Sequence, residues 1–206
     1  MDDVIPINLA VEDDLSEMVA RKLLLQSGRP YQVGTCYGKR GKDYLKKTIN
    51  GWNNAARGTP FLVLSDLDRC ECAPRIIDKW LARPVNENLI FRIAVREVEA
   101  WLFAHKTAFA SFLGVRQNLL PDNPDEIDYP KRKLIEVSSR SKKREIREAI
   151  VPAPGSTARK GPAYNAKLIS FVYYSWDVNE ALKTSPSLKK AFNSIKNFSP
   201  KHLNLN

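Results

Sequence analysis

Four apolar runs divide the first 95 residues of the chain, and each stops at a polar or charged segment. They are Val4-Ile5-Pro6-Ile7-Asn8-Leu9-Ala10-Val11, a shorter run over 31–35, Phe61-Leu62-Val63-Leu64, and a run over 86–95 that contains Leu89-Ile90-Phe91-Arg92-Ile93-Ala94-Val95. Short β-rich runs separated by helical spacing predict a mainly parallel four-stranded sheet flanked by helices. The first helix is expected to run through Leu25, with Asp14 and Glu17 at capping-box spacing at its start. A second opens at Gly38-Lys39-Arg40-Gly41-Lys42 and reaches about Ile49, and a third starts at Pro74 and reaches about Leu81. A longer apolar helix is expected over 98–112, carrying Trp101, Leu102, Phe109 and Phe112.

After Gly114 the texture changes. Residues 119–130 form an acidic, proline-punctuated connector, and the pattern beyond it is helical over 131–137, 142–150, 164–174 and 179–182. A last helix is capped by Ser185, with Pro186 in its first position. A proline- and glycine-rich loop over 151–162 is long enough to be either functional or disordered. The expected organisation is an α/β core over 1–118, the connector over 119–130, and a basic helical extension over 131–206 packed on the core.

Hydrophobic residues make up 43% and charged residues 27% of the 206, as in soluble globular proteins. No stretch approaches the roughly 18 apolar residues of a membrane span, and no secretory signal is visible, so a cytoplasmic protein without membrane contact is expected. The three cysteines Cys36, Cys70 and Cys72 suit reduced thiols better than a disulfide framework. Net charge is +10 but uneven: residues 1–130 hold 17 Lys and Arg against 18 Asp and Glu, whereas residues 131–206 hold 16 against 5. An acid-bearing front half and a strongly basic second half suit a polyanion such as nucleic acid; a merely solvated basic surface is the alternative.

The candidate chemistry lies where the apolar runs stop. Glu12 follows the first, Asp66 and Asp68 the third, and Glu97 and Glu99 the fourth. In open parallel sheets ligands bind outside the carboxyl ends of the strands, so five carboxylates are expected at one rim. Asp66-x-Asp68 can clamp one divalent cation if the segment stays extended, because alternate side chains then share a side. Glu97 and Glu99 share a face only on the same condition; if a helix has begun, one turns away. Asp13, Asp14 and Glu17 are better read as the start of a helix than as ligands. A Mg²⁺ (or Mn²⁺) ion held by Glu12, Asp66, Asp68, Glu97 and Glu99 would serve phosphodiester chemistry. Cations for phosphate contact are Lys39, Arg40, Lys42, Arg69, Lys142, Lys143, Arg144 and Arg159, with Lys160 the candidate catalytic cation and Arg96 a further possibility. His105 and His202 are the only histidines, which leaves little for a catalytic triad, and His105 reads as a packing residue. Cys70 and Cys72 without neighbouring histidine fall short of a zinc site. Trp52, Trp80, Trp101 and Trp176 can stack on bases, but their helical settings favour the core.

The order of these elements, with Val11-Glu12-Asp13-Asp14, Leu64-Ser65-Asp66-Leu67-Asp68-Arg69 and Arg96-Glu97-Val98-Glu99-Ala100-Trp101-Leu102, resembles the TOPRIM fold of topoisomerases, bacterial primases and OLD-family nucleases. Small stand-alone bacterial TOPRIM-like proteins are the most similar group. The resemblance covers about 1–115 and implies a TOPRIM/Rossmann-like core, Mg²⁺ on Glu12, Asp66 and Asp68 with Glu97 or Glu99 close by, and a nucleic-acid substrate. It also implies an anti-phage defence setting with an ATPase encoded nearby. The chain departs from the family at Asp13, where TOPRIM proteins commonly carry glycine. Two functions are expected: a Mg²⁺-dependent nuclease, or a non-catalytic nucleic-acid-binding module acting with a partner. A third, an aspartyl phosphatase built on Asp66 and Asp68, would leave Glu12 without a role. The oligomeric state is left open.

Overall fold

The computed structural model describes residues 3–70, 72–82 and 84–201, so His202 lies outside the described residues. Strands β1 (Ile5–Val11), β2 (Tyr31–Gly38), β3 (Phe61–Asp66) and β4 (Leu89–Ala94) form one sheet in the order β2-β1-β3-β4, with every neighbouring pair parallel. Helices α1 (Asp14–Gln26), α2 (Lys42–Ala55), α3 (Ala73–Trp80), α4 (Val98–Ala104) and α5 (Lys106–Leu113) accompany the strands. The C-terminal part is helical: α6 (Pro130–Ser139), α7 (Arg144–Ile150), α8 (Tyr164–Tyr174), α9 (Val178–Ala181) and α10 (Pro186–Lys196).

The two-residue period of a strand sends alternate side chains to opposite faces, and here both faces are apolar. Ile7, Leu9, Val11, Leu62 and Leu64 point into one cluster with Leu15 and Val19 of α1, Trp101 of α4, Phe171 of α8 and Phe192 of α10. Phe61, Val63, Phe91 and Ile93 point into the other, against Leu45, Ile49 and Trp52 of α2 and Ile76 and Trp80 of α3. Every residue of β3 is buried, while β2 at the edge is largely open to solvent. The first cluster joins residues from both sides of the 119–130 connector into one apolar interior. Each Leu or Ile fully buried there contributes about 1.5–3 kcal/mol of transfer free energy. All four tryptophans are buried.

Three local differences from expectation have physical reasons. Strand β2 continues to Gly38 because Tyr37 and Gly38 pair with Ala10 and Val11. A Cβ at Gly38 would lie 2.2 Å from the Val11 carbonyl oxygen, and φ there is 97°, so only glycine fits. The helix expected over 98–112 is two helices, broken at His105, whose Nδ1 accepts from the Asp177 amide at 3.0 Å. The cap of α1 is Asp13 rather than the Asp14 and Glu17 pair: its Oδ1 accepts from the Ser16 amide at 2.9 Å and the Ser16 hydroxyl at 2.8 Å. Ser185 caps α10 as expected, accepting from the Leu188 amide at 3.2 Å. Among the described residues no helix is long and apolar enough to cross a membrane.

Candidate active site

The chain leaves β1 for β2 on one side and returns to β3 on the other, so the crevice between the ends of β1 and β3 is the switch point of the sheet. Glu12 stands just past β1 and reaches across this crevice. Its Oε1 accepts from the Ser65 hydroxyl at 2.5 Å and the Asp66 amide at 2.8 Å, which ties the ends of the two strands together. Its own backbone is fixed from the other side by the turn between β2 and α2. There the Lys39 amide donates to the Val11 carbonyl at 2.8 Å and the Gly41 amide to the Glu12 carbonyl at 3.1 Å.

Asp66 ends β3 and is only 4% exposed. Its Oδ1 accepts from the Val98 amide at the start of α4 at 2.9 Å, and its Oδ2 lies 3.3 Å from the Lys131 ammonium. Asp68 does not share its direction as an extended segment would require. The strand stops at Asp66 and Asp68 has φ 52°, so its Oδ2 instead meets Lys42 Nζ at 2.7 Å. Lys42 also donates to the Asp66 carbonyl at 2.6 Å and the Leu67 carbonyl at 3.2 Å, clasping the whole Asp66–Asp68 loop.

Helix α4 begins at Val98, between the two glutamates of the third station, yet both converge on one point. Extended Glu97 takes the Lys131 amide on Oε2 at 2.8 Å and faces the Lys131 ammonium with Oε1 at 3.3 Å. Glu99, 1% exposed, accepts from the Tyr164 hydroxyl on Oε1 at 3.1 Å. Its Oε2 is buried without a hydrogen-bond partner, 3.8 Å from Lys131 Nζ.

Lys131 is therefore the hub of the site, and the sequence reading passed over it. A signal was present: Pro130 starts α6, so Lys131, Arg132 and Lys133 crowd a helix N-terminus, where the macrodipole disfavours cations unless nearby acids compensate. Tyr164 was likewise missed.

The electrostatics follow from burial and an imbalance of charge. Burial pushes the Glu12 carboxyl up, opposed by its hydrogen bonds from Ser65 and Asp66 and reinforced by the charge on Asp68. Burial pushes Asp66 well above the usual carboxylate range; Lys131 opposes the shift, and Glu12, Glu99 and Asp68 add to it. Glu99 is pushed up to about 7 by burial, against the pull of Lys131 and with help from Glu97. Burial works against the charge on Lys131, but Glu99, Asp66 and Glu97 together hold it protonated well above the ordinary lysine value. Five carboxylates, Glu12, Asp66, Asp68, Glu97 and Glu99, thus face two ammoniums, Lys42 and Lys131. Buried charge without enough counter-charge is costly, and this rim has room for more positive charge than it holds.

Among the described residues no three His, Cys, Asp or Glu side chains are already disposed around one point as a metal requires. The reason is visible: Asp66, Glu97 and Glu99 are drawn to Lys131, and Asp68 to Lys42. In donor chemistry the residues fit a hard divalent cation, being all oxygen, in charge excess, and including the orphaned Glu99 Oε2.

The other expected cations lie elsewhere. Lys39 is paired with Asp14 at 2.9 Å and with Glu17. Arg40 stacks over Tyr44 and Arg69 over Tyr129, both at the surface. Lys143 donates to the Ser111 and Phe112 carbonyls at the end of α5, and Arg144 pairs with Glu148. Lys142 and Arg159 are exposed. Lys160 binds Asn165 Oδ1 at 3.0 Å and lies over the ring of Tyr164, so it touches the site through that ring and forms no ion pair with the rim carboxylates. Among the described residues, Lys42 is the expected cation that forms an ion pair with these acids, and Arg96 donates to the Asp68 carbonyl at 3.2 Å beside them. No protein-family model matches the chain, and neither curated proteins nor solved structures give a match.

Proposed function

We propose that the rim of the sheet is the active site of a divalent-cation-dependent phosphodiesterase acting on nucleic acid. The observation that carries this reading is the convergence of Glu12, Asp66, Glu97 and Glu99 from three strand ends, with Asp66 and Glu99 buried, Glu12 and Glu97 half-buried, and the four in excess over the cations among them. Glu12, Asp66 and Asp68, with Glu97 and Glu99 alongside, are the side chains that would hold Mg²⁺ or Mn²⁺. When bound, such an ion neutralises phosphate charge and lowers the pKa of water. The chain's own residues do the rest. Ser65 and the Asp66 amide hold one oxygen of Glu12, Val98 holds one oxygen of Asp66, and Lys42 fixes the loop that carries Asp68. Lys131, locked protonated among three carboxylates and 41% exposed at its side chain, can turn its charge toward negative charge developing on phosphorus. The basic second half supplies phosphate contacts away from the rim.

The test uses purified chain with plasmid, single-stranded DNA and RNA in Mg²⁺, Mn²⁺ or EDTA. Cleavage is expected with either metal and not in EDTA, and Asp66→Asn is expected to abolish it. Turnover that persists in EDTA contradicts the reading. One observation favours the second function, a binding module whose activity comes from a partner such as an ATPase: Lys131 and Lys42 already stand on four of the five carboxylates. Steeply salt-dependent binding with no turnover in any metal is the result that would select it.

A further inference from the structure

A groove of about 450 Å³ opens along the outer side of β4, the edge strand of the sheet. That volume falls within the roughly 300–1,000 Å³ of small-ligand sites. It is walled by α3 and by the first half of α10, and Leu67, Ile77, Ile93 and Val95 give it an apolar lining. Among the described residues three cations reach it, Arg92, Arg96 and Lys190, against one carboxylate, Asp125. Asp125 is already committed to the start of α10: it accepts from the Ser185 hydroxyl at 2.7 Å, the Ser187 amide at 2.7 Å and the Ser187 hydroxyl at 3.0 Å. The surplus positive charge is therefore open to a ligand.

The groove adjoins the candidate active site through the chain itself. Leu67 lies between Asp66 and Asp68, and Val95 and Arg96 directly precede Glu97. The two segments are joined, with the Leu67 amide donating to the Ala94 carbonyl at 2.9 Å and the Asp68 amide to the Arg96 carbonyl at 2.8 Å. The Arg96 guanidinium donates to the Asp68 carbonyl at 3.2 Å and the Cys70 carbonyl at 3.1 Å, so it stands in the wall between rim and groove.

We propose that this groove seats one unpaired nucleotide of a single-stranded nucleic acid: its phosphate meets Arg96 and Lys190, and its base lies against the apolar floor. The inference rests on the phosphodiesterase reading for the neighbouring phosphate at the acidic rim. A base inside a duplex stays stacked and cannot offer its face to this floor without being extruded. A bare phosphate would leave the floor unused, and an apolar peptide would leave the groove's excess of three cations over one carboxylate unmatched.

The experiment is fluorescence anisotropy of the full chain in EDTA with labelled nine-residue oligo-dT and oligo-U and a nine-base-pair duplex. Because EDTA removes cleavage, a failure of binding speaks to the groove, whereas a failure of cleavage with binding intact speaks to the rim. Single strands are expected to bind about tenfold tighter than the duplex, in keeping with an extrusion cost. Lys190→Glu, at an exposed position of α10, and Ile77→Glu, checked for folding by circular dichroism, are each expected to weaken single-strand binding about fivefold or more. Lys183→Glu, outside the groove, sets the baseline for loss of a surface charge. Equal affinity for duplex and single strand overturns the proposal, as does a loss at Lys190→Glu and Ile77→Glu no larger than at Lys183→Glu, or no binding of either single strand.

Discussion

Two clusters of acids and bases begin within five residues of each other and differ in every physical respect that matters. At the start of α1, Asp14 and Glu17 meet Lys39 and Arg21, two acids against two bases. Across the switch point, Glu12 and its four companion carboxylates meet, among the described residues, two ammoniums, Lys42 and Lys131. In the first cluster the cations prevail over the partial burial of Glu17, and Lys39 and Arg21 hold its carboxyl below its ordinary value. In the second, burial pushes Glu12, Asp66 and Glu99 above theirs. A balanced surface cluster serves the fold at about 0–1 kcal/mol per pair. An unbalanced buried one costs stability, and such a cost points to a ligand that completes it.

Breaking each cluster should expose the difference, most sharply in catalysis. Asp66→Asn is expected to lower nuclease turnover by at least about hundredfold, measured on single-stranded substrate, whereas Glu17→Gln changes it less than about twofold. Stability comes next. Lys131→Met leaves three carboxylates facing one another and is expected to cost about 2–3 kcal/mol in urea unfolding in EDTA, less than a fully buried pair because Lys131 is 41% exposed. Lys39→Met is expected to cost at most about 1 kcal/mol.

The pH dependence has a definite sign. Glu99 has its carboxyl raised from 4.5 to about 7, so between those values the folded chain binds more protons than the unfolded one, and stability falls as pH rises. In EDTA the melting temperature is therefore expected to be higher near about pH 5 than near about pH 7.5, by a few degrees at this chain length. Saturating Mn²⁺ should remove that slope, because a bound ion favours the ionised carboxylates. The smallest expected effect is at the cap: Asp13→Ala should cost about 1 kcal/mol of stability and leave turnover unchanged.

Much of this contrast was legible in the chain. The four-stranded parallel sheet, the acidic stations and the Ser185 cap follow from apolar runs and local turn chemistry, which act over a few residues. What was not legible depends on segments far apart in sequence. Lys131 and Tyr164 enter the site from α6 and α8, 32 and 65 residues beyond Glu99; the cations crowded at the start of α6 hint that Lys131 meets acids, but no local spacing says which, and none announces Tyr164. The divergence of Asp66 and Asp68 arises from a left-handed residue that the Asp-x-Asp pattern does not reveal. Asp13, the departure from the resembled family, is the residue that caps α1.

The central claim is that the acidic rim takes a divalent cation. Electron paramagnetic resonance of free Mn²⁺, titrated with the full chain at neutral pH, tests it most directly and needs no substrate. Saturable loss of the free-ion signal with the parent chain, abolished by Asp66→Asn and unaffected by Glu17→Gln, is the predicted result. No loss of signal, or a loss that survives Asp66→Asn, contradicts the claim.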